Sequence, residues 1–430
     1  MIYVLLVVLI LMFFLNVQFN NKSFSSPSVV FVASFLLSAM WACAYSDKWD
    51  LSLSFSTFIV ISIYLFVFSL VCLIAKQYDN ARLFDSSSEE DAVEIQFEKW
   101  KIILYLLFEI IIILSYARRI SVMTGKSIFA EAISSAYVER TEMFFPFYLR
   151  ISLAFIRGGG YWFSYVLVSN TRARHKLDVM SFFVVAFSIL ATSLTGSRGT
   201  GVCVLLSIVA YMLLFEYRSN KTNRRLNVKM ILSVLLIMGL LLWLFPHVNT
   251  LLGRVNESNP MDYLATYVGA EIYNLDSFIT HSDIPANSGT WGSVVFNSIE
   301  TTLSKYFGFN VTKPYSAFPF RHQNGYFLGN VYTALYEPLY DFGYIGCLII
   351  IILYAIFSQR IFDKATTIPI TGKNIPSSIL MYGYLFPIIA VSFFAWWFGI
   401  YIVSTTFLYI FISWKIYDVF FFRISLKLHC

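Results

Sequence analysis

A polar stretch at 246–340 carries the side chains best suited to chemistry in this chain. It contains the carboxyl of Glu271 and the adjacent pair Arg321 and His322. Histidine titrates near neutral pH and can remove a proton from a hydroxyl group, and arginine holds phosphate oxygens in a two-pronged geometry. We therefore predict catalytic roles for His322, Arg321 and Glu271. His322 is the first choice for the general base and Glu271 the second.

Four further residues could bind an anionic group. Arg157 lies beside three glycines in an apolar run, and Arg254 lies in the polar stretch. Ser197 and Arg198 belong to the segment LTGSRGTG at 194–201, where backbone N–H groups at the start of the next helix would add to an anion site. Turn formation alone explains the glycines, and snorkelling to lipid headgroups is the alternative for the arginines. We predict that these four residues bind a pyrophosphate or a glycan.

Metal and cofactor chemistry has little support in the sequence. Asp47 and Asp50 could hold a divalent cation with substrate phosphates, but short loops between apolar runs often carry aspartate. The five cysteines are scattered without metal-ligand spacing, and their use as small apolar packing residues explains them. We predict no metal site and no cofactor.

Aromatic residues make up 19% of the chain and are the natural partners of sugar rings. Packing of the polar stretch against a membrane is the competing explanation for most of them. Those of the polar stretch that could stack on a glycan are Tyr263, Tyr267, Tyr273, Trp291, Tyr306, Tyr315, Tyr326 and Tyr332.

The composition indicates which elements position these residues. With 58% hydrophobic and 13% charged residues and a mean hydropathy of +0.69, the chain is too apolar for a water-soluble globule of 430 residues. Its net charge of +6 is small, which argues against nucleic-acid binding. Apolar runs of about 20 residues, each able to span a bilayer, recur from end to end. The sequence predicts an all-α polytopic membrane protein with about 11 (10–12) helices, at 2–19, 28–45, 53–75, 102–117, 147–169, 179–195, 200–217, 230–245, 341–358, 379–397 and 400–421.

Basic loops predict the orientation of these helices. The loops 171–178 and 218–229 are rich in arginine and lysine, so the positive-inside rule places both in the cytoplasm. The acid-rich segment 76–101 falls on the same side and is predicted to be a solvated surface helix. The predicted domains are helices 1–8 at 1–245, a large outer loop domain at 246–340, and helices 9–11 with a cytoplasmic tail at 341–430.

Three stretches together resemble the bacterial oligosaccharide repeat-unit polymerases, the Wzy-type O-antigen polymerases. They are LTGSRGTG at 194–201, YLATYVGAEIYNLDSF at 263–278 and GNVYTALYEPLYDFGYIG at 329–346. The last is the most specific, because it looks like the Asn-x-Tyr-Thr segment of the family followed by Asp-Phe-Gly-x-x-Gly. The likeness covers the chain from about residue 100 onward, whereas the first hundred residues match only in hydropathy.

The resemblance implies polymerisation of surface polysaccharide, such as the O-antigen of lipopolysaccharide. Such enzymes transfer a glycan from undecaprenyl pyrophosphate to the non-reducing end of another lipid-linked repeat unit. They work at the periplasmic face of the inner membrane without nucleotide sugar or metal. The resemblance also implies glycan contacts for Tyr332 and Asp341, and a chain-length regulator and a flippase as partners in the pathway.

Two other functions stay open at this point. An O-antigen ligase would use the same donor and hand the glycan to the lipid A core, but ligases carry a His-Asn motif, whereas Gln323 follows His322. A flippase would move the lipid-linked unit across the bilayer. Flippases of this length generally have short loops on both sides, and the stretch 246–340 argues against that assignment.

Overall fold

A computed structural model gives the structure of the protein. It describes residues 1–80, 92–125, 145–194, 198–219, 259–281, 292–308 and 318–424, with a few positions between 232 and 239. The described chain is mostly helical. Its helices are α1 (Ile2–Phe19), α2 (Pro27–Ala44), α3 (Ser46–Trp49), α4 (Phe55–Asn80), α5 (Lys99–Thr124), α6 (Phe147–Arg174), α7 (Val179–Ser193), α8 (Arg198–Ser219), α9 (Pro260–Val268), α10 (Ala270–His281), α11 (Asn297–Phe307), α12 (Tyr336–Thr367), α13 (Ser377–Ala390) and α14 (Thr405–Asp418).

A two-stranded hairpin and two π-helical turns complete the described fold. Two strands, β1 (Arg321–Gln323) and β2 (Tyr326–Gly329), form an antiparallel hairpin. Two π-helical turns, Phe398–Ile402 and Val419–Arg423, lie before and after α14. The hairpin lies in the predicted outer loop domain.

Eight of the described helices are long and apolar enough to cross a membrane, which is typical of an all-α membrane-embedded protein. Two shorter apolar helices, Val179–Ser193 and Ser377–Ala390, fall at two further predicted spans. The remaining predicted span, 230–245, lies almost wholly outside the described residues. The expected count of 11 is therefore not confirmed, although ten of the predicted spans coincide with apolar helices.

The chain divides into two compact units that alternate along the sequence. The first contains residues 1–85, 258–363 and 388–405, and the second contains 86–257, 364–387 and 406–430. The described part of the predicted outer loop thus belongs to the same unit as the first spans. Its short helices pack there, because α9 and α10 both contact α2, and α10 also contacts α4.

The second unit is organised around α6, which contacts α5, α7 and α8. Its glycines allow this close packing. A Cβ at Gly159 would overlap the hydroxyl of Tyr105 in α5, and one at Gly158 would overlap the hydroxyl of Ser413 in α14. Trp414 also donates a hydrogen bond to the carbonyl of Gly158 at 2.9 Å. Two of the three glycines beside Arg157 therefore have a packing role.

Arginines in the last turns of α6 and α8 bind acidic side chains and the carbonyls of a helix end. Arg174 lies 2.7 Å from Glu94 of the acidic segment, and Arg172 lies 3.3 Å from Glu216. Arg218 donates to the last carbonyls around the C-terminal end of α12, at Ala365 (2.8 Å) and Ile368 (2.7 Å). Cations suit a helix C-terminus because its carbonyls carry partial negative charge.

Candidate functional site

The hairpin decides where Arg321 and His322 point. Its two-residue turn is Asn324-Gly325, and both residues have positive φ values, 49° and 79°. Asparagine followed by glycine is the dipeptide that favours such a tight turn. The pairing of the two strands is irregular between Arg321 and His322, so burial rather than strand alternation distinguishes the two side chains. Arg321 is half-buried, whereas His322 is exposed and lies with its ring 5.0 Å from that of Phe327.

Tyr332 holds the guanidinium of Arg321. The Arg321 Nε donates to the Tyr332 hydroxyl at 3.4 Å, and that hydroxyl donates to the carbonyl of Pro319 at 3.1 Å. Tyr332 is buried, so its hydroxyl is a fixed acceptor for the arginine. The charge of Arg321 also reaches Tyr273. Burial raises the pKa of the Tyr273 hydroxyl, and Arg321 opposes that rise.

Tyr332, the tyrosine that binds this arginine, belongs to an aromatic cluster. The rings of Tyr332 and Tyr336 lie 4.4 Å apart, and Phe318 lies 5.1 Å from Tyr332 and 4.6 Å from Tyr336. Phe278 of α10 closes the cluster at 4.8 Å from Tyr336. Such distances are those of well-packed aromatic pairs. The cluster fixes the segment after β2 against α10 and leaves half-buried rings of Phe318 and Phe278 at its edge.

One face of α10 is turned to this segment. Asn274 donates to the carbonyls of Leu328 (3.2 Å) and Val331 (2.7 Å), and Phe278 packs on Tyr336. Glu271 lies three residues before Asn274 and seven before Phe278, a spacing that places all three on the same helix face. Helix α10 therefore presents the carboxyl of Glu271 on the face that packs on residues 328–336.

The carboxyl of Glu271 is fully buried. Apart from its own backbone N–H, neither of its oxygens has a hydrogen-bond partner among the residues that the structure describes. Burial disfavours the charged form and raises the pKa of Glu271 well above its usual range, an effect that the backbone N–H only partly opposes. Burial favours the protonated form of such a carboxyl, and its ionised form is a stronger base than that of an exposed glutamate.

Asp341 has a structural partner. Its Oδ2 accepts hydrogen bonds from the backbone N–H groups of Val294 (3.0 Å) and Val295 (2.7 Å). It therefore anchors the turn before α11 to the first turns of α12. The predicted glycan contact of Asp341 stays a prediction, with this anchoring as a role that the sequence did not suggest.

The other predicted binding residues lie elsewhere or outside the described structure. Arg157 is buried in α6 of the second unit. Ser197, Arg254 and the side chain of Arg198 lie outside the described residues. Of the predicted site residues, Glu271, Arg321, His322, Tyr332 and Asp341 lie in the first unit, where a hydrogen bond joins Arg321 to Tyr332.

Sequence reasoning missed the partners that build this site. Asn274 and Phe278 follow Glu271 at helical spacing, and Tyr336 follows Tyr332 by four residues. This spacing is the signal that could have found them. Among the described residues, no group of three or more His, Cys, Asp and Glu side chains is arranged to hold a metal ion.

Comparison with known proteins returns no match: no family model, no curated protein and no solved structure matches this chain. The support for a function therefore comes from two sources. One is the likeness of the three sequence motifs, and the other is the chemistry of Glu271 and Arg321 in the first unit.

Proposed function

We propose that the protein is a membrane glycosyltransferase that polymerises oligosaccharide repeat units linked to undecaprenyl pyrophosphate. The observation that carries the proposal is that one compact unit contains both an arginine bound by Tyr332 and the buried carboxyl of Glu271. An arginine can hold a pyrophosphate, and a carboxyl can accept the proton of an attacking hydroxyl. Both belong to stretches at or beside the motifs that resemble the polymerase family.

The proposed reaction is a substitution at the anomeric carbon of the donor sugar. A hydroxyl of the acceptor repeat unit forms the new C–O bond, and the bond between the sugar and the pyrophosphate breaks. Undecaprenyl pyrophosphate leaves with the bonding electron pair, and Arg321 stabilises its growing charge. The hydroxyl proton passes to the base. Half-buried Tyr273 and Phe318 supply ring faces for the sugars.

We assign the proton acceptor to the ionised form of Glu271, which must first lose its own proton, with His322 as the second candidate. Glu271 lies on the α10 face that packs on residues 328–336, which include the tyrosine that holds Arg321. His322 is exposed and lies with its ring beside that of Phe327. A base must come within hydrogen-bond reach of the same hydroxyl whose sugar reacts near the arginine, and that requirement favours Glu271.

The proposal includes the site of action and the partners. The reaction takes place at the periplasmic face of a bacterial inner membrane, where lipid-linked units arrive from a flippase and a chain-length regulator sets the polymer size. This orientation rests on the basic loops at 171–178 and 218–229, which the positive-inside rule places in the cytoplasm. Asp341, Arg157, Ser197, Arg198 and Arg254 stay candidate contacts for the glycan or the pyrophosphate.

A glycan gel of cells that lack the gene, complemented with variants, tests the proposal. Wild type should restore a long ladder, and the empty vector should leave a single repeat unit on the lipid A core. Arg321→Ala should behave as the empty vector at unchanged protein level, and Arg321→Lys should restore only short chains because lysine lacks the two-pronged geometry. The matched control is Arg360→Ala, an exposed arginine of α12 in the same unit. A full ladder from Arg321→Ala would refute the assignment.

A flippase is the second candidate, because the second unit buries an acid within a span. Glu109 of α5 is fully buried and accepts a hydrogen bond from Ser188 of α7 at 2.6 Å. Ionisable residues inside a membrane span often mark a transport route. In the same gel, loss of the single repeat unit together with the ladder would favour the flippase or a ligase. Lipid-linked units trapped on the cytoplasmic side would then identify the flippase.

A further inference from the structure

Helix α11 exposes an apolar stripe. Ile299, Leu303 and Phe307 recur every four residues, and the side chains are 40%, 39% and 71% exposed. Residues four apart lie on one face of a helix. Asn297 and Thr301 are also exposed and lie on the opposite side, since Thr301 and Leu303 are separated by roughly 200° around the helix axis. The helix therefore has an exposed apolar side and, opposite to it, an exposed polar side.

Contacts within the first unit place this helix beside membrane-spanning segments. The turn before α11 is bound by Asp341 in the first turns of α12, through Val294 and Val295. The carbonyl of Val295 lies so close to Gly399 that a Cβ there would overlap it. Gly399 belongs to the π-helical turn 398–402, which α11 also contacts.

The neighbouring segments themselves face lipid. Just after the anchoring Asp341, Ile345 of α12 is 78% exposed, and Ile349 and Leu353 continue the exposed apolar face along the same span. Ile400 of the π-helical turn is exposed as well. A continuous row of large exposed apolar side chains along a span is expected where the span faces hydrocarbon. The contacts of Asp341 and Gly399 with the turn before α11 thus place its apolar stripe next to the exposed apolar surface of these segments.

We propose that α11 lies in the membrane interface, with Ile299, Leu303 and Phe307 in the boundary between headgroups and acyl chains. Its occupant is the bilayer itself. Helices with a polar face and an apolar face commonly lie in the plane of the interface at this depth. Asp341 and Gly399 then fix the level of the turn 292–296 relative to the bilayer surface. The inference is independent of glycan transfer.

Spin labels on single cysteines test this placement. Leu303→Cys reports on the apolar side and Thr301→Cys is the matched control two residues away, in a protein whose five native cysteines are replaced by serine. The labelled full-length protein is reconstituted into vesicles of phosphatidylethanolamine and phosphatidylglycerol. Collision rates are measured with oxygen, which concentrates among acyl chains, and with a nickel chelate, which stays in water.

Position 303 should collide more often with oxygen than with the nickel chelate, and position 301 should show the reverse. Ile299→Cys gives a second reading of the apolar side should Leu303→Cys fail to fold, and it should match position 303. Preferential collision with nickel at positions 299 and 303 would overturn the proposal. Low collision rates with both reagents would also overturn it, because they would mean that protein covers the stripe.

Discussion

Replacing Glu271 with glutamine tests both the burial of this carboxyl and its assigned role as proton acceptor. Glutamine keeps the size of the side chain but can neither ionise nor accept the proton. The carboxyl is fully buried, and its pKa is raised by burial, so the folded protein holds a proton that the unfolded chain releases. Stability and turnover should therefore respond to the substitution in different ways.

The sign of the effect on stability follows from proton linkage. Below the usual glutamate pKa of about 4.3, the folded and the unfolded states both hold the proton, and the substitution changes little. As the pH rises, the unfolded state ionises first, and the free energy of unfolding falls by roughly 1.4 kcal/mol per pH unit until the folded-state pKa is reached. By about pH 7 the loss from this one group is at most about 4 kcal/mol. Glu271→Gln removes that loss.

Thermal unfolding of the detergent-solubilised protein at about pH 5 and about pH 8 measures this effect. Glu271→Gln should melt close to wild type at the lower pH and above wild type at the higher pH. Glu271→Ala should lose the same pH dependence but melt lower at both values, because a cavity in a packed core costs about 2–5 kcal/mol. On the glycan gel, neither variant should form polymer. If the glutamine variant keeps the wild-type pH dependence of thermal stability, the Glu271 carboxyl is not buried with a raised pKa. If it still forms the ladder, Glu271 is not the proton acceptor.

Three further predictions concern residues with separate roles. His322→Ala should keep a ladder, since buried Glu271 rather than exposed His322 is assigned as the proton acceptor, and a lost ladder on the glycan gel would make His322 the base. Gly159→Ala should lower the melting temperature by an overpacking cost of about 1–3 kcal/mol, and adding Tyr105→Phe should restore part of it; no change in Gly159→Ala would contradict the close packing. Arg218→Ala should cost about 1.5–3 kcal/mol in thermal unfolding, since it removes two charge-assisted hydrogen bonds to helix-end carbonyls, whereas Arg218→Lys should lose less.

The apolar spans were predictable because their signal is local. A run of about 20 apolar residues specifies a helix and its length without any knowledge of partners. The same reasoning explains why the two units were not predicted. Residues 258–363 join residues 1–85 through contacts of α9 and α10 with α2 and α4, and such pairings depend on side chains far apart in the sequence.

The candidate site was predicted only in part, because residue type and adjacency do not show how the local backbone orients each side chain. Glu271 and Arg321 were identified by residue type, but His322 was grouped with Arg321 because the two are adjacent. The dipeptide Asn324-Gly325 predicts a tight hairpin, and a hairpin sends adjacent side chains to opposite faces. Reading that dipeptide first would have predicted the hairpin, but not the irregular strand pairing between Arg321 and His322. The role of Tyr332 could not be predicted in this way. Its hydroxyl accepts a hydrogen bond from Arg321, and that contact depends on how the segment folds back after β2.

The polar residues of the first unit differ in how well structure alone explains them. Asp341 is explained by the two backbone N–H groups that it binds, and Asn274 by the two carbonyls that its amide group reaches. Glu271 has no comparable side-chain or distant backbone partner among the described residues, although burying such a carboxyl costs several kcal/mol. A leucine in its place would stabilise the same packing at no such cost. Among the described residues Glu271 is thus a buried acid without a side-chain partner, and this burial is consistent with its proposed role as the proton acceptor.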